Sequence, residues 1–267
     1  KKVYIDTRYK SSDSNSDSDF FVELPLAVNI PDKCICYVDD IVLPVSWTMI
    51  DDRNNQLYVA YRIGDVVSEE TVTIPSGNYN GITFSNALEV AMNSILTPFE
   101  TPVTITYDII NNRISSLLTD ERDVKIGELE VIILTDKDIE SIFSIHSSKV
   151  LSVNNVLMLK ERTEIYPAIP KTVYLDMHQT RNLYLTSTVR GKYNTISNFG
   201  VDCIIKKIPV RYSYNEMLFD GSEAGYDFLD IGRSTLKRID FRLLDSVGRV
   251  VNLNGNHFSF SLVFQEV

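Results

Sequence analysis

The sequence predicts a mainly β protein, in which one β-sandwich carries a small inserted α+β module. Three observations support this prediction. Apolar and polar residues alternate with a period of two near both ends of the chain, as in strands with one buried face. A helical pattern appears in the middle, and neither flanking region has enough strands to close a sandwich alone. We therefore predict a sandwich built from residues 1–67 and 151–267, with residues 68–150 as the inserted module.

Three strands are predicted in the N-terminal region, at FFVELPLAV, CICYVDDIVLPVSWTMI and QLYVAYRI. Turns at Pro31-Asp32 and at DDRNN separate them, because these residue types favour tight turns. Pro44 has no backbone N–H to donate, so we expect it to break the second strand or to place that strand at a sheet edge.

The middle region contains a predicted amphipathic helix that follows a strand and a Gly-Asn turn. Its apolar residues recur on one face, at Phe84, Ala87, Leu88, Ala91, Met92 and Ile95. Thr83 is the predicted N-cap, since threonine accepts a hydrogen bond from the first turn, and Pro98 is expected to end the pattern. This stripe needs an apolar surface to cover it.

A small sheet is predicted to supply that surface. The stretch PVTITYDIINNRISSLL predicts a hairpin around Asn111-Asn112. The stretch VIILTDKDIESIF predicts a strand followed by a short helix capped at Thr135 or Asp136. Because the helix stripe and these strands can form a core of their own, we interpret the region as a separable module.

Strand patterns resume after YPAIP, at TVYLDMHQTRNLYLTSTV and VDCIIKKIPV, and continue to the end of the chain. In the last stretch Phe258, Phe260, Leu262 and Phe264 alternate with Ser259, Ser261 and Val263. We expect the four apolar residues to face the core and the serines to face water. These terminal strands are predicted to complete a sheet begun by residues 20–63.

Bulk properties exclude several classes of partner. A net charge of −10 and a pI near 4.8 argue against specific nucleic-acid binding, because affinity for phosphates comes mainly from Lys and Arg. There is no apolar run of 18 residues, so we expect no membrane span. The start, KKVYIDTRYK, lacks an initiator Met and the apolar core of a signal peptide, so a product of a longer gene is expected.

Cysteine usage points to an intracellular product. Cys34, Cys36 and Cys203 are odd in number, and the first two are separated by one residue on the same face of a predicted strand. Because cysteines in that arrangement rarely form a disulfide, we expect buried, reduced thiols.

One acidic stretch has part of the spacing of a calcium-binding loop. Asp13, Asn15 and Asp17 match the first three ligand positions of an EF-hand. Ser18 stands where that loop requires Gly, and Leu24 where it requires a bidentate Glu. A solvated acidic loop is therefore the favoured interpretation.

No other motif supports catalysis or cofactor binding. His146, His178 and His257 have no ligand-spaced partner, so we expect surface or loop histidines. Nucleophile elbows and phosphate-binding glycine loops are missing from the sequence, and Asp39-Asp40 and Asp51-Asp52 are interpreted as solvated turns. We predict no enzyme activity, no cofactor, and no catalytic, cofactor-binding or metal-binding residues.

Two groups of residues are candidates for contacts with other molecules. A basic run contains Lys206, Lys207 and Arg211, and it fits either an acidic neighbour or a solvated strand edge protected by lysines. Four tyrosines are candidates for stacking on sugars: Tyr79, Tyr193, Tyr212 and Tyr214. In a chain with 14 Tyr, half-buried strand tyrosines are the commoner explanation.

Several stretches carry, in their order, a resemblance to a known family. VYIDTRY leads into DFFVELP and YVDDIVLPVSW, followed by VTIPSGNYNGITFSNALEVAMN, RNLYLTSTVRG and GVDCIIKKIPV. The chain closes with DFLDIGRSTLKRIDFRLLDSVGRVVNLNGNHFSFSLVF. From about Val3 to Phe264 the sequence resembles the minor capsid (penton) proteins of virophages and related Maverick/Polinton elements. The resemblance rests on the residue patterns of these stretches and on their order along the chain, and not on a catalytic motif.

The resemblance implies a single jelly-roll β-sandwich that stands upright at the five-fold vertices of an icosahedral capsid. It further implies a homopentamer surrounded by double-jelly-roll major capsid proteins, located in the virion capsid after assembly inside the host cell. An alternative is a carbohydrate- or receptor-binding β-sandwich of a viral fibre or spike. A cupin-like enzyme is disfavoured, because three scattered histidines do not supply its metal ligands.

Overall fold

Two groups of residues have separate apolar cores in the computed structural model of the chain. Lys1–Trp47 and Thr180–Val267 form the first, which we call the sandwich unit, and Thr48–Gln179 forms the second, the central unit. The structure describes residues 1–63, 66–99, 101–118, 129–143, 153–159, 161–165, 170–188, 192–193, 195, 200, 203–221, 228–231 and 234–266.

Strands make up most of the regular structure. In chain order they are β1 (Lys2–Asp6), β2 (Asp19–Ile30), β3 (Cys34–Pro44), β4 (Gln56–Ile63), β5 (Val66–Thr73), β6 (Val103–Asp108), β7 (Arg113–Leu118), β8 (Leu129–Ile133), β9 (Thr163–Ile165), β10 (Lys171–Tyr174), β11 (Asn182–Thr186), β12 (Lys192–Tyr193), β13 (Ile204–Pro209), β14 (Met217–Gly221), β15 (Leu229–Ile231), β16 (Ser234–Leu244) and β17 (Ser259–Glu266). The helices of the described residues are α1 (Gly81–Leu96) and α2 (Asp136–Phe143), with short 3-10 turns elsewhere.

Two antiparallel sheets build the sandwich unit. One has the strand order β1-β17-β3-β15-β12, with β14 also paired to β3, and the other has the order β13-β11-β16-β2. Apolar side chains from both sheets share one core, whose largest fully buried members include Phe20, Phe241 and Phe260. The predicted mainly β, jelly-roll sandwich is confirmed.

The terminal strands pair with the earliest ones, as the sequence predicts. β16 lies beside β2, and β17 lies between β1 and β3, all antiparallel. The predicted extension of this sheet to residue 63 is wrong, because β4 pairs with β5 and β8 in the central unit. Alternation in QLYVAYRI predicts a strand but carries no information about its partner.

The faces of β17 follow the predicted alternation with one exception. Phe258 just before the strand, and Phe260, Leu262 and Phe264 within it, are buried as expected. Ser261 was expected to face water, and this is wrong, since it is only 2% exposed. The Ser261 hydroxyl lies against the Asp40 carboxylate of the neighbouring β3, at the point where the pairing with β3 shifts register between Ser261 and Leu262.

The central unit contains the sheets β5-β4-β8-β9 and β10-β7-β6, with α1 packed against them. Phe84, Leu88 and Met92 from α1 join a core with strand residues of both sheets. Thr48–Gln179 is a wider span than the predicted insert of 68–150. The difference arises because β4, β9 and β10, which lie outside that range, pair with β5, β8 and β7 inside it.

The ends of the two helices are set by side-chain caps. The predicted N-cap Thr83 is wrong, because Asn80 is the N-cap of α1 and accepts from the Thr83 backbone N–H at 2.9 Å. Thr83 completes a capping box by accepting from the Asn80 N–H at 3.0 Å. α1 ends at Leu96, two residues before Pro98, and Thr135 accepts at the start of α2 as predicted.

The predicted hairpin is also present. β6 and β7 pair antiparallel around Asn112, whose φ of 51° is a left-handed conformation that asparagine tolerates.

Among the described residues, the helices are too short or too polar to cross a bilayer.

Candidate assembly surface of the sandwich unit

The acidic loop between β1 and β2 does not gather its carboxylates around a common point. Each side chain has a different partner. Asp13 forms an ion pair with Arg238, and the Asn15 amide donates a hydrogen bond to Asp19 at 2.8 Å. Asp17 forms an ion pair with Lys10 at 2.5 Å and contacts His257 at 3.1 Å. Within the described parts of the chain, no group of three or more His, Cys, Asp or Glu is placed to hold a metal ion. The loop is therefore held by ion pairs of the sandwich unit.

The predicted loop histidines are scattered. His257 is exposed, and its Nδ1 lies 3.4 Å from the Thr7 hydroxyl in addition to its contact with Asp17. His178 is exposed in the loop after β10, where its backbone N–H donates to Asp176 at 3.0 Å. His146 lies outside the described residues.

Cysteines follow the prediction in part. Cys34 and Cys36 are buried free thiols on the inner face of β3, and burial raises the pKa of both. Cys203 was expected to be buried, but it is only partly so. A thiol with a raised pKa is a weak nucleophile, so the two buried cysteines act as core residues.

A polar network crosses the outer face of the first sheet. Asp39 and Asp40 were expected in a solvated turn, and this is wrong, because both lie within β3. Ser261 on β17 donates to the Asp40 carboxylate at 2.8 and 2.9 Å, and Lys2 on β1 contacts Asp39 at 2.6 Å and Asp40 at 3.1 Å. These hydrogen bonds raise the pKa of the Lys2 ammonium. The network joins β1, β17 and β3 through side chains as well as through the backbone ladder.

The basic run does not form a patch of three available cations. Lys206 on β13 pairs with Asp220 on β14 at 3.1 Å, and its side chain is only 12% exposed. Lys207 and Arg211 are exposed. Lys206 therefore serves a contact inside the chain, and the predicted pairing with an acidic neighbour loses one of its three cations.

An exposed apolar surface lies on and before β14. Its members, which we call the β14 patch, are Tyr212, Tyr214, Met217 and Phe219. Met217 and Phe219 are 56% and 61% exposed on the outward face of the strand, whereas Leu218 between them is fully buried. In the described part of the chain β14 has no strand partner other than β3, and Lys206 of β13 contacts its C-terminal end, at Asp220 (3.1 Å) and at the Gly221 carbonyl (3.5 Å).

Only half of this surface was found from the sequence. Tyr212 and Tyr214 were singled out as tyrosines, and both are exposed. Tyr79 is different, because it packs on Phe84 and its hydroxyl donates to the Pro75 carbonyl. The side chain of Tyr193 lies outside the described structure.

Met217 and Phe219 were missed. The sequence MLFD has apolar residues on both faces of a strand, so the sequence does not show which face is buried and which is exposed. In the structure Leu218 is buried, and because successive side chains of a strand point to opposite faces, Met217 and Phe219 face outward.

Charge is divided unequally between the two units. The sandwich unit has 16 Lys and Arg against 17 Asp and Glu, a formal charge of −1. The central unit has 10 Lys and Arg against 19 Asp and Glu, a formal charge of −9. Nearly all of the net −10 therefore belongs to the central unit.

Comparisons with known proteins agree with the architecture. No protein-family profile and no curated protein matches the sequence. Among solved structures, the mavirus penton protein superposes with a TM-score of 0.58 at 8% sequence identity, with 100% of both chains covered. A chain of the Sputnik virophage superposes with a TM-score of 0.45 at 14% identity, with 99% of this chain and 98% of that one covered. The resemblance seen in the sequence is thus confirmed at the level of the fold: over its full length, this chain has the fold of the mavirus penton protein.

Proposed function

We propose that this chain is a minor capsid (penton) protein that forms homopentameric capsomers at the five-fold vertices of an icosahedral particle. In this role it contacts a double-jelly-roll major capsid protein around the vertex and performs no catalysis. The observation that carries the proposal is the full-length match in fold to the mavirus penton protein, which includes both the sandwich and the central unit.

The distribution of charge favours a ring built through the sandwich units. Five copies bring together a formal charge of −5 on sandwich units and −45 on central units. Like charges repel over roughly the 8 Å Debye length of physiological salt. A contact between sandwich units avoids most of this repulsion, and the residual repulsion between central units decreases as salt is added.

Molar mass measured by light scattering behind a sizing column tests the proposal. One copy is 30.4 kDa, so we expect a pentamer of about 152 kDa, whose fraction grows between about 0.05 and 0.5 M salt. The same measurement is made after co-expression with the major capsid protein. A stable trimer would support the fibre or spike alternative, and a monomer both alone and with the major capsid protein would refute the pentamer.

A further inference from the structure

In the described part of the sandwich unit, the edge strands β1, β2 and β13 carry residues that discourage pairing with another chain. Lysines and prolines at an edge oppose strand addition, through charge or through the missing N–H. Among the described strands, such residues are Lys2 on β1, Pro25 on β2, and Lys207 and Pro209 on β13. β14, with the sequence MLFDG, has neither lysine nor proline.

The same edge has the side chains of a protein–protein contact. Tyr212, Tyr214, Met217 and Phe219 are between 42% and 61% exposed, and they fall within eight residues of sequence. Aromatic residues and methionine are enriched at the centres of protein interfaces, where lysine and glutamate are depleted. A monomer leaves these apolar side chains in water, beside a strand edge with no second strand partner among the described residues, and such surfaces often mark interaction sites.

We infer that the β14 patch is the apolar centre of the contact between neighbouring copies of this chain. The inference rests on the proposed function. A second copy is the favoured occupant because the sandwich unit has a formal charge of only −1, so that two such surfaces approach without a large electrostatic cost. In a ring of more than two copies the contact is heterologous, so the β14 patch meets a different surface of its neighbour, which repeats around the ring.

The edge and the side chains have complementary roles. In an antiparallel strand, alternate residues direct their backbone N–H and C=O away from the paired neighbour, and among the described residues no second strand pairs with those of β14. Met217 and Phe219 supply apolar area on one face of that edge, and Leu218 anchors the strand in the core of its own unit. The strand is therefore fixed before assembly, which lowers the ordering cost of the contact.

Single substitutions test the inference without disturbing the fold, because the target side chains are more than half exposed. Phe219→Lys and Met217→Lys place a charge in the contact. We expect each to raise the protein concentration at half-assembly by at least about tenfold, as for truncation of interface hot spots. The matched control is Leu26→Lys on β2, where an 80% exposed leucine lies on an edge that contains a proline, and we expect less than about a twofold change.

Two further measurements separate the outcomes. Hydrogen exchange of the amides in residues 212–221 is expected to slow on assembly, and the Trp47 fluorescence melt of each variant is expected to match that of the wild type. If Phe219→Lys assembles as tightly as wild type and exchange is unchanged, the β14 patch is not the contact, although the pentamer stands. If the variants assemble normally but lose binding on a glycan array, the patch binds sugar and the inference is overturned. A wild-type chain that is monomeric even with the major capsid protein refutes the proposed function itself.

Discussion

Ser261 and Ser259 form a matched pair for testing the register of the last strand. Both lie on the outward face of β17, but Ser261 is 2% exposed and donates to Asp40 at 2.8 and 2.9 Å, whereas Ser259 is partly exposed. A hydrogen bond to a charged group contributes about 1.5–3 kcal/mol to stability. The Asp40 side chain is 34% exposed and keeps Lys2 as a partner, so water replaces part of the lost bond. We therefore expect Ser261→Ala to cost about 1.5 kcal/mol, at the lower end of that range.

The control and the upper end of the scale come from the same strand. Ser259→Ala is expected to change the free energy of unfolding by less than about 0.5 kcal/mol. Phe260 is 2% exposed, with its ring 4.9 Å from Phe241 and 5.8 Å from Phe258 between centroids. Phe260→Ala should therefore cost about 3–5 kcal/mol, a large share of the stability of an ordinary domain.

Urea unfolding followed by the fluorescence of Trp47 measures these costs. It is the only tryptophan in the chain, and it packs partly buried against the core of the sandwich unit, so it reports that unit. A double-mutant cycle of Ser261→Ala with Asp40→Ala should give a coupling of about 1 kcal/mol. Equal costs for the two serines, or a coupling near zero, would show that the bond to Asp40 is not formed and that the register is different.

Three other predictions concern the central unit. Replacement of Thr48–Gln179 by a short Gly-Ser linker should leave a sandwich unit that unfolds cooperatively on heating, as followed by Trp47 fluorescence. The reason is that the entropy of loop closure changes only slowly with the length of the connection. A non-cooperative melt would show that the stability of the sandwich unit depends on the central unit. Hydrogen bonding to Arg162 lowers the pKa of Asp138 from its ordinary 3.8 to about 2, so the ionised carboxylate stabilises the fold above pH 3.8 and this stabilisation is lost as pH falls toward 2. Arg162→Gln should therefore move the acid-unfolding midpoint, measured by circular dichroism, to higher pH, and an unchanged midpoint would contradict the pairing. Gly→Ala in a helix usually stabilises by about 1 kcal/mol, but Gly81→Ala should destabilise α1, because the added Cβ would overlap the Tyr107 ring. The loss of stability should largely disappear in a Tyr107→Ala background. A Gly81→Ala variant that is more stable than the wild type would refute the close contact.

Local patterns by themselves determined the types and positions of most elements. Alternation located β2, β3, β4 and β17, and the spacing of apolar residues located α1, because side-chain direction in strands and helices repeats with a fixed period. The buried face of the last strand was also predictable, since Phe260 and Phe264 share one side of a period-2 pattern. The resemblance to penton proteins came from the order of such stretches.

Tertiary structure alone decided which strands are partners and which surfaces remain open. QLYVAYRI looks the same as a strand of either unit, and only its hydrogen bonds to β5 and β8 assign it to the central unit. Ser261 is polar in the sequence but buried in the fold, where its hydroxyl lies against the Asp40 carboxylate of the neighbouring strand. Phe219 is apolar but exposed, because β14 lies at an edge with Leu218 turned inward. A residue's exposure depends on neighbours that are distant in sequence. A sequence period of 2 or 3.6 residues gives the direction of a side chain, but not whether another part of the chain covers it.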